Sequence, residues 1–78
     1  MDKRIIDKFG LKEDISKFTT RKNGTRIQFT KQGQDHDEIK IVLHEKNQTL
    51  FIIIPDADLL NKKMTIDKII GMLKGGIL

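Results

Sequence analysis

The segment LFIIIP at residues 50–55 is apolar at every position and is the longest run of this kind in the chain. Successive side chains of a β-strand point to opposite faces, so the even-numbered residues face one way and Phe51 and Ile53 the other. We expect the three even-numbered residues to form the structural face, because they outnumber the other two. Both faces need a cover, which is either the chain's own helices or another protein.

The composition describes one small domain that spans residues 1–78. A chain of this length buries only about 60–65% of the surface that it exposes when unfolded, so its core is small. The absence of cysteine excludes a disulfide framework and a cysteine-based zinc site, and it favours a cytoplasmic setting. Since the longest apolar run is far shorter than a signal-peptide core or a membrane span, we expect no membrane association.

The formal net charge of +4 comes from 15 basic and 11 acidic side chains, which make a mixed surface and not a polycation. Residues 1–26 hold eight of the bases and only four of the acids. The basic excess therefore belongs to the first third of the chain.

Apolar residues recur at helical spacing in the N-terminal segment. We predict a first helix over residues 2–9 and a second over residues 12–18, with a kink at Gly10, because glycine accepts the left-handed conformation of a helix end. A single bent helix is the alternative. The turn dipeptide Asn23-Gly24 ends this helical part.

Three strands are predicted after this turn. Residues 26–30 alternate between apolar and polar, as a half-exposed strand does. Residues 38–44 alternate in the same way, except at Val42, and a short link leads into the third strand at residues 49–54. The short connections predict an antiparallel meander, which Pro55 ends because proline cannot donate to a ladder.

The C-terminal region predicts a helical turn from Asp56 to Asn61 and a helix that begins at an N-cap, Thr65, and continues to Lys74. Gly75 provides a left-handed stop. The predicted fold class is therefore α+β, with N-terminal helical segments, a three-stranded antiparallel meander and a C-terminal helix, in the order α-β-β-β-α. This order is similar to that of double-stranded RNA-binding domains, but a shared order of elements does not carry function.

A basic stretch of ten residues contains four bases, several hydroxyl side chains and no acid; the bases are Lys17, Arg21, Lys22 and Arg26. Charge and hydroxyl hydrogen bonds together could hold phosphate groups. The alternative is an ordinary solvated loop.

Metal binding and catalysis have less support in the sequence. Residues 35–38, Asp-His-Asp-Glu, offer ligands for a divalent cation, but they also suit a polar loop between strands, and we predict neither a metal site nor a cofactor. The chain lacks Cys, Tyr and Trp, and no serine lies in a nucleophile-elbow context, so we predict no catalytic residues. So small a chain would struggle to enclose a small-molecule substrate.

Two functional hypotheses follow. The first is a non-catalytic interaction module that binds a protein partner, or itself as a homo-oligomer, through residues 50–54 and the adjacent helix surface, with Phe51, Ile53 and Val42 as interface candidates. The second is weak nucleic-acid binding, largely independent of base sequence, through residues 17–26. The first hypothesis requires the strand to be a sheet edge; it fails if Phe51 and Ile53 lie beneath the chain's own helices.

Overall fold

The computed structural model describes residues 1–15, 17–32 and 37–75. It is an α+β fold in which a five-stranded antiparallel sheet carries helices on one face. The helices are α1 (Lys3–Phe9), α2 (Asp56–Leu59) and α3 (Ile66–Leu73). The strands are β1 (Lys12–Asp14), β2 (Lys17–Lys22), β3 (Thr25–Gln32), β4 (Glu38–His44) and β5 (Thr49–Pro55).

The strands lie side by side in chain order, and each is antiparallel to the next. The predicted three-stranded meander in α-β-β-β-α order is therefore wrong. The strands predicted at residues 26–30, 38–44 and 49–54 are present as β3, β4 and β5, but β1 and β2 precede them. These two strands also remove the resemblance in element order to double-stranded RNA-binding domains.

The error arose in residues 12–18, which form neither the predicted second helix nor part of a single bent helix. The spacing of Leu11, Ile15 and Phe18 imitates one face of a helix. However, Ile15 lies outside the strands with φ at 47° and is 89% exposed, while Phe18 packs against the core from β2. The same short segment fits two periodicities, and pairing with β3 decides between them.

The turn at Asn23-Gly24 has left-handed backbone angles at both residues, with φ at 53° and 80°. This is the conformation that two-residue β-hairpins prefer, because its twist matches that of the flanking strands. The turn joins β2 to β3, with Lys22 paired to Thr25. The turn itself was predicted correctly, but it connects two strands and does not follow a helix.

The predicted helix ends are confirmed. Gly10 ends α1 in the left-handed conformation, with φ at 61°, and Gly75 has φ at 74° after α3. The Thr65 hydroxyl accepts a hydrogen bond of 3.2 Å from the backbone N–H of Lys68, so Thr65 is the N-cap of α3. These ends depend on local chemistry, which the sequence displays directly.

The core lies between the helices and one face of the sheet. Its fully buried members come from α1, α2, α3, β3 and β4: Ile5, Ile27, Phe29, Ile39, Ile41, Leu43, Leu59 and Ile69. The rings of Phe9 and Phe29 pack with their centroids 5.5 Å apart, which fixes α1 against β3. The Lys8 ammonium donates hydrogen bonds to the carbonyl oxygens of Leu59 and Asn61, and thereby joins α1 to the end of α2.

Among the described residues, none of the helices has the length and apolar character that crossing a bilayer requires.

Candidate protein interface

The sheet face opposite the helices, called the open face below, consists of alternate residues from all five strands. Directly opposed residues of antiparallel strands share a face. One such row crosses the whole sheet: Lys12, Thr19, Gln28, Val42 and Phe51. None of these five belongs to the apolar core or to the side chains packed against it. The helices thus pack against one face of the sheet, and the open face is not covered by them.

Phe51, Ile53 and Val42, the predicted interface residues, lie together on the open face and are called the apolar patch. Val42 stands directly opposite Phe51, and Lys40 stands opposite Ile53. The Phe51 side chain is 61% exposed and that of Ile53 is 41% exposed. The Lys40 ammonium lies 4.7 Å from the centre of the Phe51 ring in a cation–π contact. The patch is therefore not covered by the chain's own helices.

The even-numbered residues of β5 point to the opposite side of the sheet. Ile54 is 3% exposed and belongs to the core, while Leu50 and Ile52 are half-buried and pack against it. This division agrees with the expectation that the even-numbered residues form the structural face.

β5 is the last strand of the sheet, and no other strand among the described residues pairs with its outer edge. Two backbone hydrogen bonds flank its ladder with β4: Glu45 N–H donates to Gln48 C=O at 2.9 Å, and Asp56 N–H donates to Asp37 C=O at 2.6 Å. Hydrogen-bonded and non-hydrogen-bonded pairs alternate along an antiparallel ladder. The even-numbered residues of β5 therefore bond to β4, and the odd-numbered residues turn their N–H and C=O groups outward.

Phe51 and Ile53 consequently present both an exposed side chain and outward backbone groups. Within residues 1–15, 17–32 and 37–75, no backbone hydrogen bond other than those of the β4–β5 ladder involves residues 50–54. Pro55 also occupies an outward position, where its missing N–H removes no ladder bond. The chain therefore ends β5 with a proline and still keeps the full ladder with β4.

The two edges of the sheet differ in how they discourage contact with other strands. β1, at one edge, has three residues, all of them charged and exposed. Short length and charge are the usual means of protecting an edge. β5, at the other edge, has seven residues with no charge among them. The long apolar edge is therefore the less protected one, with Pro55 at its end as its one such feature.

The predicted nucleic-acid contacts divide between the two faces of the sheet. Lys17, Arg21 and Arg26 lie on the open face. Lys22 points to the helix side, where its ammonium lies 3.7 Å from a carboxylate oxygen of Asp67 in α3. Three of the four bases are therefore brought to one surface, and the fourth is separated from them.

Arg21 and Arg26 are directly opposed on neighbouring strands, and His44 stands opposite Arg26 on the next strand. Like charges in opposed positions destabilise a sheet. An Asp14 carboxylate oxygen lies 3.3 Å from the Arg26 guanidinium and offsets part of this repulsion. His44 is hydrogen-bonded to the Gln28 side chain at 2.9 Å. The two arginines form a small cationic site near the Asn23-Gly24 turn.

A groove of about 390 Å³ runs along the open face beside the apolar patch. Polar side chains make up most of its lining: Lys17, Gln28, Thr30, Gln32, Lys40, Val42 and His44. Small-molecule sites are usually enclosed and mainly apolar. This groove is instead open and mainly polar.

The shifted pKa values of the described residues belong to ion pairs away from the apolar patch. A hydrogen bond from Lys74 lowers the pKa of Glu45, and the two charged groups lie 3.1 Å apart. Hydrogen bonds from the Arg4 side chain and backbone lower the pKa of Asp2, and the same contact raises the pKa of Arg4. The Glu45–Lys74 pair joins the segment before β5 to the end of α3, whereas the Asp2–Arg4 pair is local to the start of α1.

The candidate metal ligands at residues 35–38 are only partly visible, because Asp35 and His36 lie outside the described residues. Among the residues that the structure describes, no three metal-ligating side chains come together.

Sequence reasoning did not include Lys12 or Lys40 among the candidate site residues, although it placed Lys40 on the outward side of its strand. Lys40 had a usable signal, since it alternates with apolar neighbours along β4. Lys12 had none, because β1 is recognisable only from its pairing with β2.

No family model, no curated protein and no solved structure matches this chain significantly.

Proposed function

We propose that the protein is a non-catalytic interaction module that binds a protein strand along the free edge of β5. The observation that carries this proposal is the coincidence, at Phe51 and Ile53, of exposed apolar side chains with outward backbone groups. An extended partner adding to this edge would gain main-chain hydrogen bonds from one set of atoms and apolar contact from the other. In strand addition, backbone hydrogen bonds usually supply the affinity and alternate side chains supply the specificity.

The remainder of the open face suits the recognition of a partner. The His44 side chain is hydrogen-bonded to that of Gln28, and lysine, amide and threonine side chains contribute most of the groove lining. A partner on β5 would lie next to Lys40, whose ammonium already neighbours the Phe51 ring. Acidic residues flanking an apolar strand would therefore suit this edge.

A library of extended peptides displayed on phage tests the proposal. We expect the wild-type protein to select peptides with alternating apolar residues. Ile53→Pro should lose them, because it removes an outward N–H that the partner needs while the chain's own ladder does not use it. Ile53→Lys should also weaken binding, and Ile15→Lys is its matched control, since Ile15 is exposed but lies far along the sheet from β5. Peptides that bind Ile53→Pro as tightly as the wild type would contradict the proposal.

Nucleic-acid binding is the second candidate, and the opposed Arg21 and Arg26 are the observation that favours it. A phosphate group between them would relieve the repulsion of two like charges. With Lys17 on the same face, this site would position a sugar–phosphate backbone without reading bases. The expected binding is weak and falls steeply with salt concentration.

The structure supplies a matched pair of variants for this candidate. Arg21→Glu reverses a charge on the open face, whereas Lys22→Glu reverses one on the helix side. In anisotropy titrations with labelled single-stranded and duplex DNA and RNA at low and moderate salt, only Arg21→Glu should lose affinity. Equal losses for both variants would indicate a general charge effect, and no binding at low salt would exclude this candidate.

A further inference from the structure

We infer that the strand added to β5 is β5 of a second copy of the chain, in an antiparallel pair with its two-fold axis at Ile52. In this arrangement, which rests on the proposed function, Phe51 of each copy stands opposite Ile53 of the other. The two five-stranded sheets then form one continuous sheet. The inference is carried by the register that the outward groups permit and by the charges at the two ends of β5.

The outward backbone groups restrict the register. Only the odd-numbered residues of β5 turn their backbone groups outward, so hydrogen-bonded pairs between two copies must join odd-numbered residues. Centring the pair on Ile52 places Phe51 opposite Ile53 twice and Thr49 opposite Pro55 twice, and spans all seven residues of the strand. Each Thr49–Pro55 pair can form one bond, from the Thr49 N–H to the Pro55 carbonyl, because proline has no N–H. A register moved by one odd-numbered residue in either direction leaves one end of β5 unpaired.

The side chains are also self-complementary in this register. On the open face, each Phe51 ring lies beside the branched Ile53 side chain of the second copy, which is a favourable cross-strand combination. On the opposite face, the half-buried Ile52 of one copy meets Ile52 of the other. The same surface of each copy thus forms both sides of the contact, as the isologous interface of a two-fold dimer requires.

The charges around β5 favour the antiparallel arrangement. The strand itself is uncharged, although the chain carries a net charge of +4 and two copies repel each other overall. Exposed Lys46 lies three residues before β5, and exposed Asp58 lies three residues after it. The neighbouring acids Glu45 and Asp56 are paired within the chain, with Lys74 and Lys31 respectively. Antiparallel pairing brings the basic end of each strand to the acidic end of the other, whereas parallel pairing would place like charges together.

Disulfide mapping tests the register directly, since the native chain has no cysteine. Chains with Phe51→Cys and chains with Ile53→Cys, distinguished by a mass tag, are mixed and oxidised under native conditions. Opposed residues of a hydrogen-bonded pair have Cα atoms about 5.5 Å apart, within disulfide range, whereas the diagonal distance that a same-residue pair requires is beyond about 7 Å. The mixed disulfide should therefore exceed either same-residue disulfide severalfold. Ile15→Cys measures the background from random collision.

A second measurement keeps the wild-type chain intact. Amide hydrogen exchange is followed at increasing protein concentration, and exchange at Phe51 and Ile53 should slow while sedimentation shows a rising mass. Same-residue disulfides in excess would overturn the register. A constant monomer mass with no mixed disulfide and no slowed exchange would overturn the second copy as occupant. The selection of displayed peptides would still test strand addition itself, so the two failures are distinguishable.

Discussion

Proline substitution at two adjacent positions of β5 distinguishes the inward from the outward backbone groups. Ile52 turns its N–H toward β4, where Ile41 is its paired residue, and Ile53 turns its N–H to the free edge. Ile52→Pro should therefore destabilise the fold severely, while Ile53→Pro should leave it folded. Both variants replace an isoleucine, so they differ in backbone direction and in the packing of the side chain that is lost.

The expected loss of stability for each variant depends on which hydrogen bonds and apolar contacts the substitution removes. Ile52→Pro deprives the carbonyl of Ile41, a fully buried residue, of its partner, which costs about 1–3 kcal/mol. Loss of half-buried apolar contact at Ile52 adds about 1–2 kcal/mol. Ile53→Pro removes no ladder bond, and its effect comes from altered side-chain contact and backbone restriction, about 1–2 kcal/mol. The expected difference of about 2 kcal/mol is large for a domain of 78 residues, whose total stability is on the order of 4–12 kcal/mol.

Thermal and urea unfolding followed by circular dichroism measure this difference. For a domain of this size, about 2 kcal/mol corresponds to a separation of roughly 8–16 °C in Tm between the two variants. Dilute protein keeps association from contributing to the stability. Equal destabilisation, or a larger effect at Ile53, would show that the outward assignment of the odd-numbered residues is wrong, and the strand-addition proposal would lose its basis.

Ile52→Lys should abolish cooperative thermal unfolding, because the half-buried position disfavours an ammonium group. Ile53→Lys should remain folded and show weaker association by light scattering. If both variants unfold equally, β5 is not an interface strand. Phe29→Ala should cost about 3–5 kcal/mol in urea unfolding, since the ring is fully buried, and a loss below about 1 kcal/mol would contradict its place in the core. The lowered pKa of Glu45 contributes stability that is present above its ordinary value of 4.5 and is lost as the pH falls through the lower folded value. Replacing Lys74 by Met should raise the pKa of Glu45 in an NMR titration and flatten this pH dependence, and an unchanged pKa would exclude the ion pair.

The sequence alone determined the elements whose signals are local. β4 and β5 were recognisable from their side-chain alternation and apolar run, and α3 from its N-cap at Thr65 and its stop at Gly75. The division of β5 into a structural and an exposed face also followed from the period of two that any strand imposes. These features depend on residues within a few positions of one another, which is why a single sequence displays them.

Only the tertiary structure decided what residues 12–22 become. Their apolar spacing suits a helix as well as a strand, and pairing with β3 resolves this in favour of β1 and β2. The same pairing puts Arg21 opposite Arg26 and sends Lys22 to the helix side, a separation that no local pattern displays. The choice of partner strand depends on contacts far apart in the chain. Strand pairing therefore determined which side chains and charges share the open face. The sequence alone had already identified β5 as the strand with apolar residues on both faces.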